Sequence, residues 1–324
     1  MCTAITYKTK DHYFGRNLDL EHSYIEAVTI TPRRFPFHFR YMPSINQHYA
    51  IIGMAAVVEN YPLYYDATNE FGLSMAGLNF PGNAVYLPNS NVLNNITPFE
   101  FIPWILSQCK NIYEAKDLIQ QLTLVDTQFS DALPLSPLHW IIADKDSSIV
   151  IEPLCSGIHM YEDPVGVLTN NPPFDYHLHN LSNYMNLTHQ EPTNRFSKSV
   201  DIQPYSRGMG AIGLPGDLSS SSRFIKAAFT KLNSVSKEDE SSSVTQFFHI
   251  LGSVSQQEGC VQVGHAFEKT IYSSCCNTDK CIYYYTTYSN NQINAVHLFN
   301  EDLSSEKILQ FPLRNKQNIF LINH

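Results

Sequence analysis

Met1-Cys2-Thr3-Ala4-Ile5-Thr6-Tyr7, a polar turn over Lys8–His12, and Tyr13-Phe14-Gly15-Arg16-Asn17-Leu18-Asp19 open the chain and decide how it folds. Small and apolar residues alternate through Cys2–Tyr7, the period of a half-buried strand, and Tyr13–Asp19 follows at hairpin distance. Paired antiparallel, the two strands bring Arg16 and Asp19 back toward Cys2. Cys2 directly follows the initiator methionine and has a small side chain, so Met1 is expected to be removed. The thiol and a free α-amine then sit on one Cα. Such an amine titrates near ~7.7–8.0, close to the working pH that suits a general base. A thiol near ~8.5 becomes thiolate more readily beside a cation, and Arg16 is the nearest candidate. Asp19 would hold and orient the amine. Nucleophile and base are thus available in one residue.

Outward from this hairpin, further strands are expected at Val28–Thr31, Tyr49–Ala55 and Leu73–Leu78. Helices follow at Phe99–Gln108, with Pro98 in its first turn, and at Ile112–Leu122. Strands return at Trp140–Ala143, Ile149–Glu152, Ile158–Tyr161 and Val165–Leu168, and Asn170-Asn171-Pro172-Pro173 must end the last of them. Two helices, Ser222–Leu232 and Val244–Val254, flank a polar loop over Ser236–Ser243. The second helix carries an apolar stripe at helical spacing. Thr270–Cys275, Ile282–Tyr288 and Ile293–Phe299 close the pattern as strands. Strict alternation of strand and helix is missing, so an α+β fold of two antiparallel sheets covered by helices is expected, not a doubly wound parallel one.

Composition narrows the function. Of 324 residues 43% are hydrophobic and 16% charged, enough for an extensive core, and the formal net charge of −9 argues against a nucleic-acid partner. No apolar run reaches the roughly 18 residues of a membrane span, and the first residues lack the charged and apolar regions of a signal peptide. A cytoplasmic protein is the expectation. The 7 cysteines are irregularly spaced and suggest neither a disulfide framework nor a metal site. Gly208-Met209-Gly210-Ala211-Ile212-Gly213 spells GxGxxG, but Leu214-Pro215-Gly216 forbids the helix a dinucleotide site requires. It reads as a turned loop.

Several segments together carry a resemblance. Met1-Cys2-Thr3-Ala4, Phe14-Gly15-Arg16-Asn17, Asn69–Leu73, Ala76–Phe80, Leu138-His139-Trp140, Leu168–Pro172, Gly213–Ser220 and Ser222-Arg223-Phe224 look like the choloylglycine hydrolases, which include conjugated bile salt hydrolases and penicillin V acylases. The likeness spans the chain from residue 2 to the strands near 300. It implies an N-terminal nucleophile hydrolase fold, an αββα four-layer sandwich, here a single domain over 1–324. It also implies roles. Cys2 attacks the amide carbonyl, Asn170 and the Asn79 backbone N–H form an oxyanion hole, Asp19 positions the amine, and Arg16 and Arg223 complete the polar network.

Asn79 itself resembles the bile salt hydrolases, since the penicillin V acylases tend to carry an aromatic residue there. Phe71 and Cys281 depart from the family, where lysine and glycine are common. The implied reaction is hydrolysis of the amide joining a bile acid to glycine or taurine, with a thioester at Cys2, no cofactor and no metal. Leu18, Leu20, Val58, Phe129 and Leu135 are candidate walls of a steroid groove, with Cys2, Arg16 and Asn79 at its polar end. Relatives are often homotetramers, and a homo-oligomer is expected on that basis alone. The nearest alternative is an acylase for penicillin V or N-acyl homoserine lactones. A non-catalytic binding sandwich that keeps Met1, or a thiol-ligated metal protein, are the alternatives from other classes.

Overall fold

A computed structural model describes residues 1–89 and 94–323. The opening hairpin forms as the sequence predicts. Strand β1 (Cys2–Lys8) pairs with β2 (His12–Leu20) from Cys2 opposite Leu18 to Lys8 opposite His12. The short strand Val167–Leu168 lies beyond β1. Beyond β2 come Ala266–Asn277, Ile282–Thr287 and Asn290–His297, with Val261–Val263 alongside the first of these, in a 7-stranded sheet. A second, 8-stranded sheet runs in the order Gly157–Glu162, Ser148–Leu154, Leu138–Ala143, β6 (Ser74–Asn79), β5 (Tyr61–Asn69), β4 (Ile51–Val58), β3 (Ala27–Thr31), Leu309–Pro312. Neighbours in both sheets are antiparallel.

Side chains sort by the two-residue period of the strands. In the second sheet Ile141 and Val150 join the core shared with the first sheet. Trp140, Ile142, Ile149 and Ile151 join a separate core on the other face. That outer face is covered by α1 (Phe101–Leu106) and α2 (Ile112–Ile119); Phe101 meets Trp140 edge-on at 4.8 Å. The outer face of the first sheet is covered by α4 (Ser220–Asn233) and α5 (Glu240–Gly252). Helix, sheet, sheet, helix is the expected four-layer order.

Several expectations need correction. β5, Leu309–Pro312 and the helix α3 (Phe174–Asn180) were not anticipated. The supposed loop Ser236–Ser243 is helical from Glu240, because the Asp239 side chain accepts the Ser242 N–H at 2.9 Å and caps α5. The helix expected over Phe99–Gln108 is a 3-10 turn, Pro98–Glu100, followed by α1. Pro103 falls in the first turn of α1, where its missing N–H leaves no helical bond unmade. Cys281 has φ 53°, a left-handed conformation that accounts for the glycine common there in the family.

Gly15 sets how closely β2 approaches Ala266–Asn277. A Cβ there would lie 2.0 Å from the Ser274 carbonyl oxygen, which is backbone and cannot step aside. Gly15→Ala is therefore expected to cost about 1–3 kcal/mol or more. Urea unfolding checks this; a midpoint equal to the parent's at unchanged m would contradict the close approach.

Candidate active site

β1 places Cys2 at the inner face of its sheet. Thr3 Oγ1 accepts a hydrogen bond from Arg223 of α4 at 2.6 Å, so Thr3 faces the helices and Cys2 faces the second sheet. Cys2 is 2% exposed. Its N–H donates to Asn170 Oδ1 at 2.8 Å, and its carbonyl accepts from Arg223 Nη1 at 2.5 Å.

Asn170 sits in the turn after Val167–Leu168 and is tied on every side. Its Oδ1 also accepts from Arg223 Nη2 at 2.8 Å, and its Nδ2 donates to the Asn79 carbonyl at 2.7 Å. Its own N–H donates to Ser220 Oγ at 2.8 Å, and its carbonyl lies 2.9 Å from His177 Nε2. One step away, His139 Nε2 is 3.0 Å from the Thr169 carbonyl and its Nδ1 3.0 Å from Glu152 Oε1. His139 and Glu152 buttress the turn; neither carries a sequence signal for this, since the contact joins residues remote in the chain.

Asn79 ends β6. Leu138 faces it in the register, yet the Leu138 N–H goes to Tyr86 Oη at 2.7 Å. An opposed antiparallel pair exchanges both hydrogen bonds or neither, so the Asn79 N–H points away from Leu138, toward β5. There the ladder has already opened, because the last pair of β5 with β6 is Asp66 opposite Ala76. Arg16 enters this gap. Its Nη1 donates to the Tyr65 carbonyl at 3.0 Å and the Gly77 carbonyl at 2.5 Å, and its Nη2 has no partner.

The charges here are buried. Burial opposes the Arg16 charge, but Cys2, Tyr272, Asp66 and Asp19 outweigh it and push its pKa up. Burial pushes the Asp19 carboxyl up, against the pull of Arg223, Thr270, the chain terminus and Arg16. Asp19 Oδ1 accepts from Thr270 Oγ1 at 2.6 Å, and Oδ2 is buried without a partner. The Met1 ammonium donates to the Asp19 carbonyl at 2.7 Å and forms an ion pair with Glu268. Burial raises the Glu268 carboxyl and lowers Arg223.

Cys2 and Arg16 open onto a cleft of about 320 Å³. Of the candidate wall and polar-end residues, Leu18, Leu20, Asn79, Phe129 and Leu135 line it, whereas Val58 does not. Val58 lies at the turn end of the β4–β5 hairpin, opposite Tyr61. The wall comes instead from residues sequence reasoning missed: Leu63 and Tyr65 of β5, Tyr24, Phe99, Ile102 and Leu133. Glu59 and Asn60, at φ 51° and 60°, form the tight turn that starts β5. Asn60, a residue type that tolerates φ > 0 in a tight turn, was the available signal. Asp19, Asn170 and Arg223 are not among the residues lining the cleft; Asn170 joins the Cys2 N–H to the carbonyl of Asn79, which does line it, and Arg223 holds the Cys2 carbonyl. Among the described residues no group of His, Cys, Asp or Glu is arranged to hold a metal ion, and no helix is long and apolar enough to cross a membrane.

Residues 2–311 match the family described as linear amide C-N hydrolases, choloylglycine hydrolase family. The chain is 57% identical over its whole length to the whole of a bile salt hydrolase/transferase from Lactiplantibacillus plantarum. It is 34% identical, again over 100% of both chains, to a bile salt hydrolase/transferase from Clostridium perfringens. The C2A form of a conjugated bile acid hydrolase from Clostridium perfringens superposes with TM-score 0.92 at 33% identity, covering 100% of each chain. Penicillin V acylase from Agrobacterium tumefaciens shares the fold, with TM-score 0.74 at 16% identity, over 95% of this chain and 90% of that one. A cysteine on the first strand facing a cleft between two antiparallel sheets, and likeness along the whole length, agree: the chain belongs to the choloylglycine hydrolase family and is a linear amide C–N hydrolase.

Proposed function

We propose that the chain hydrolyses the amide bond of bile acids conjugated to glycine or taurine, with Cys2 as the nucleophile once Met1 has been removed. The observation that carries this is Cys2 at the polar end of an apolar cleft, in a chain 57% identical throughout to a bile salt hydrolase/transferase. In the processed chain the Cys2 amine takes the thiol proton and the sulfur adds to the amide carbonyl. One Nδ2 hydrogen of Asn170 is committed to the Asn79 carbonyl; the other, with the Asn79 N–H, receives the oxyanion. One such donor is worth roughly 10²–10³ in rate. The intermediate collapses to a thioester as the ammonium returns its proton to the departing amine of glycine or taurine. Water then attacks the thioester, gives its proton to the same amine, and the bile acid leaves as Cys2 is regenerated.

Asp19 offers its unpartnered Oδ2 to the Cys2 ammonium, and Arg16 favours the thiolate. Leu18, Leu20, Phe129 and Leu135, with the missed β5 residues, suit the apolar steroid. Residues 1–324 act as one domain, because both sheets supply the site. A homo-oligomer, tetrameric as the resemblance to the family implies, would cover large apolar side chains left open to solvent, such as Phe196 at 86% and Phe320 at 81% exposure; the cytoplasmic location rests on the sequence alone.

Comparison of kcat/KM on glycocholate, taurocholate and penicillin V tests the substrate. The conjugated bile acids are expected to lead by at least about tenfold, a difference of some 1.4 kcal/mol in transition-state binding. Penicillin V in first place would assign the cleft to an acylase instead.

A further inference from the structure

Asp66 takes no part in the chemistry above, yet it is 1% exposed and sits at the last pair before β5 parts from β6. Its carboxylate crosses to the other sheet. Oδ1 accepts from Tyr272 Oη at 2.6 Å, and Oδ2 accepts from Tyr283 Oη at 2.7 Å and Ser274 Oγ at 3.1 Å. Three hydroxyls thus converge on the carboxylate, each placed to donate, and the two phenol contacts lie near the ~2.5–2.7 Å range of charge-assisted bonds. Burial raises the carboxyl's pKa, and Arg16 is the first influence opposing it.

The same few residues hold Arg16. Its Nη1 bonds to the carbonyl of Tyr65, the neighbour of Asp66, and of Gly77, the neighbour of Asp66's partner Ala76. Its N–H donates to Ser274 Oγ at 3.1 Å, whose hydroxyl passes on to Asp66. All of the Arg16 side chain's own hydrogen bonds go to backbone carbonyls, none to a carboxylate. A buried cation without a direct ion pair is costly unless a counter-charge lies close by.

We infer that Asp66 is a positioning residue for amide cleavage: the buried counter-charge that ties the two sheets together and fixes the Arg16 guanidinium in the gap between β5 and β6, toward Cys2. This rests on the role proposed for Arg16. The test is a double-mutant cycle on processed enzyme with glycocholate, comparing the parent, Asp66→Asn, Arg16→Gln and the double variant. Asp66→Asn is expected to lower kcat about tenfold or more while KM moves less than about threefold. In the Arg16→Gln background the same change is expected to add no further loss, since residues acting as one unit are non-additive.

Parental kcat in Asp66→Asn, or its full loss repeated on top of Arg16→Gln, overturns the inference. Parental kcat in Arg16→Gln overturns the role of Arg16 itself, and the two failures are told apart by which single variant is silent. Should Asp66→Asn not fold, Tyr283→Phe runs the same cycle: it removes one donor and keeps the charge. Its expected loss in kcat is about threefold, and it too should vanish with Arg16→Gln.

Discussion

Cys2→Ala is expected to fold like the parent and to lose amide hydrolysis by about 10⁴-fold or more, the scale seen when a nucleophile of this kind is removed. The fold tolerates the change because Cys2 is a small strand residue in the same row as Ala4, and its hydrogen bonds are made by backbone atoms that alanine keeps. The chemistry does not, since no other cysteine lines the cleft. Cys275, Cys276 and Cys281 are buried, and burial pushes their thiols up. Two measurements check it. Thermal unfolding should be nearly unchanged, and intact-mass analysis with a slowly cleaved conjugate should show an acyl adduct on the parent alone, mapped to Cys2. Substantial turnover by the alanine variant would end the thioester mechanism.

A chain whose first residue is not Cys2 is expected to be nearly as inactive, by about 10³-fold or more, because the same step loses its base. With Met1 attached, the Cys2 nitrogen is an amide that donates to Asn170 Oδ1 and has no lone pair to offer a thiol. The Met1 ammonium meanwhile occupies Glu268 and the Asp19 carbonyl. A fusion carrying an N-terminal tag that a protease can remove flush before Cys2 separates the cases: no turnover before cleavage, full turnover after. Equal rates before and after would show that another group takes the proton.

Much of this arrangement was legible in the residues. The β1–β2 hairpin follows from local alternation around a polar turn, and it alone brings Arg16, Leu18 and Asp19 to Cys2. The apolar stripe of Val244, Phe247 and Leu251 marked α5, although its start was misplaced because the cap at Asp239 lies inside a polar run. β5 was missed for a different reason: Pro62 and the tyrosines around it blur the alternation of Tyr61–Asn69, so Leu63 and Tyr65 were absent from the expected cleft while Val58 was wrongly included. Asn79, Asn170 and Arg223 came from resemblance, since nothing local distinguishes an oxyanion donor from a turn residue. Asp66 was illegible by any route. Its partners Tyr272, Ser274 and Tyr283 are about two hundred positions away, and only the stacking of the two sheets makes them neighbours.

That stacking has a consequence for how the enzyme fails. Of the residues proposed to act, Cys2 and Arg16 belong to one sheet, Asn79 to the other, and Asn170 to the turn after Val167–Leu168 that touches both, so no fragment and no half-denatured intermediate would hold a complete catalyst. Turnover therefore doubles as a readout of cooperativity: in rising denaturant it should vanish as the sheets separate, with no partly active plateau before the chain comes apart.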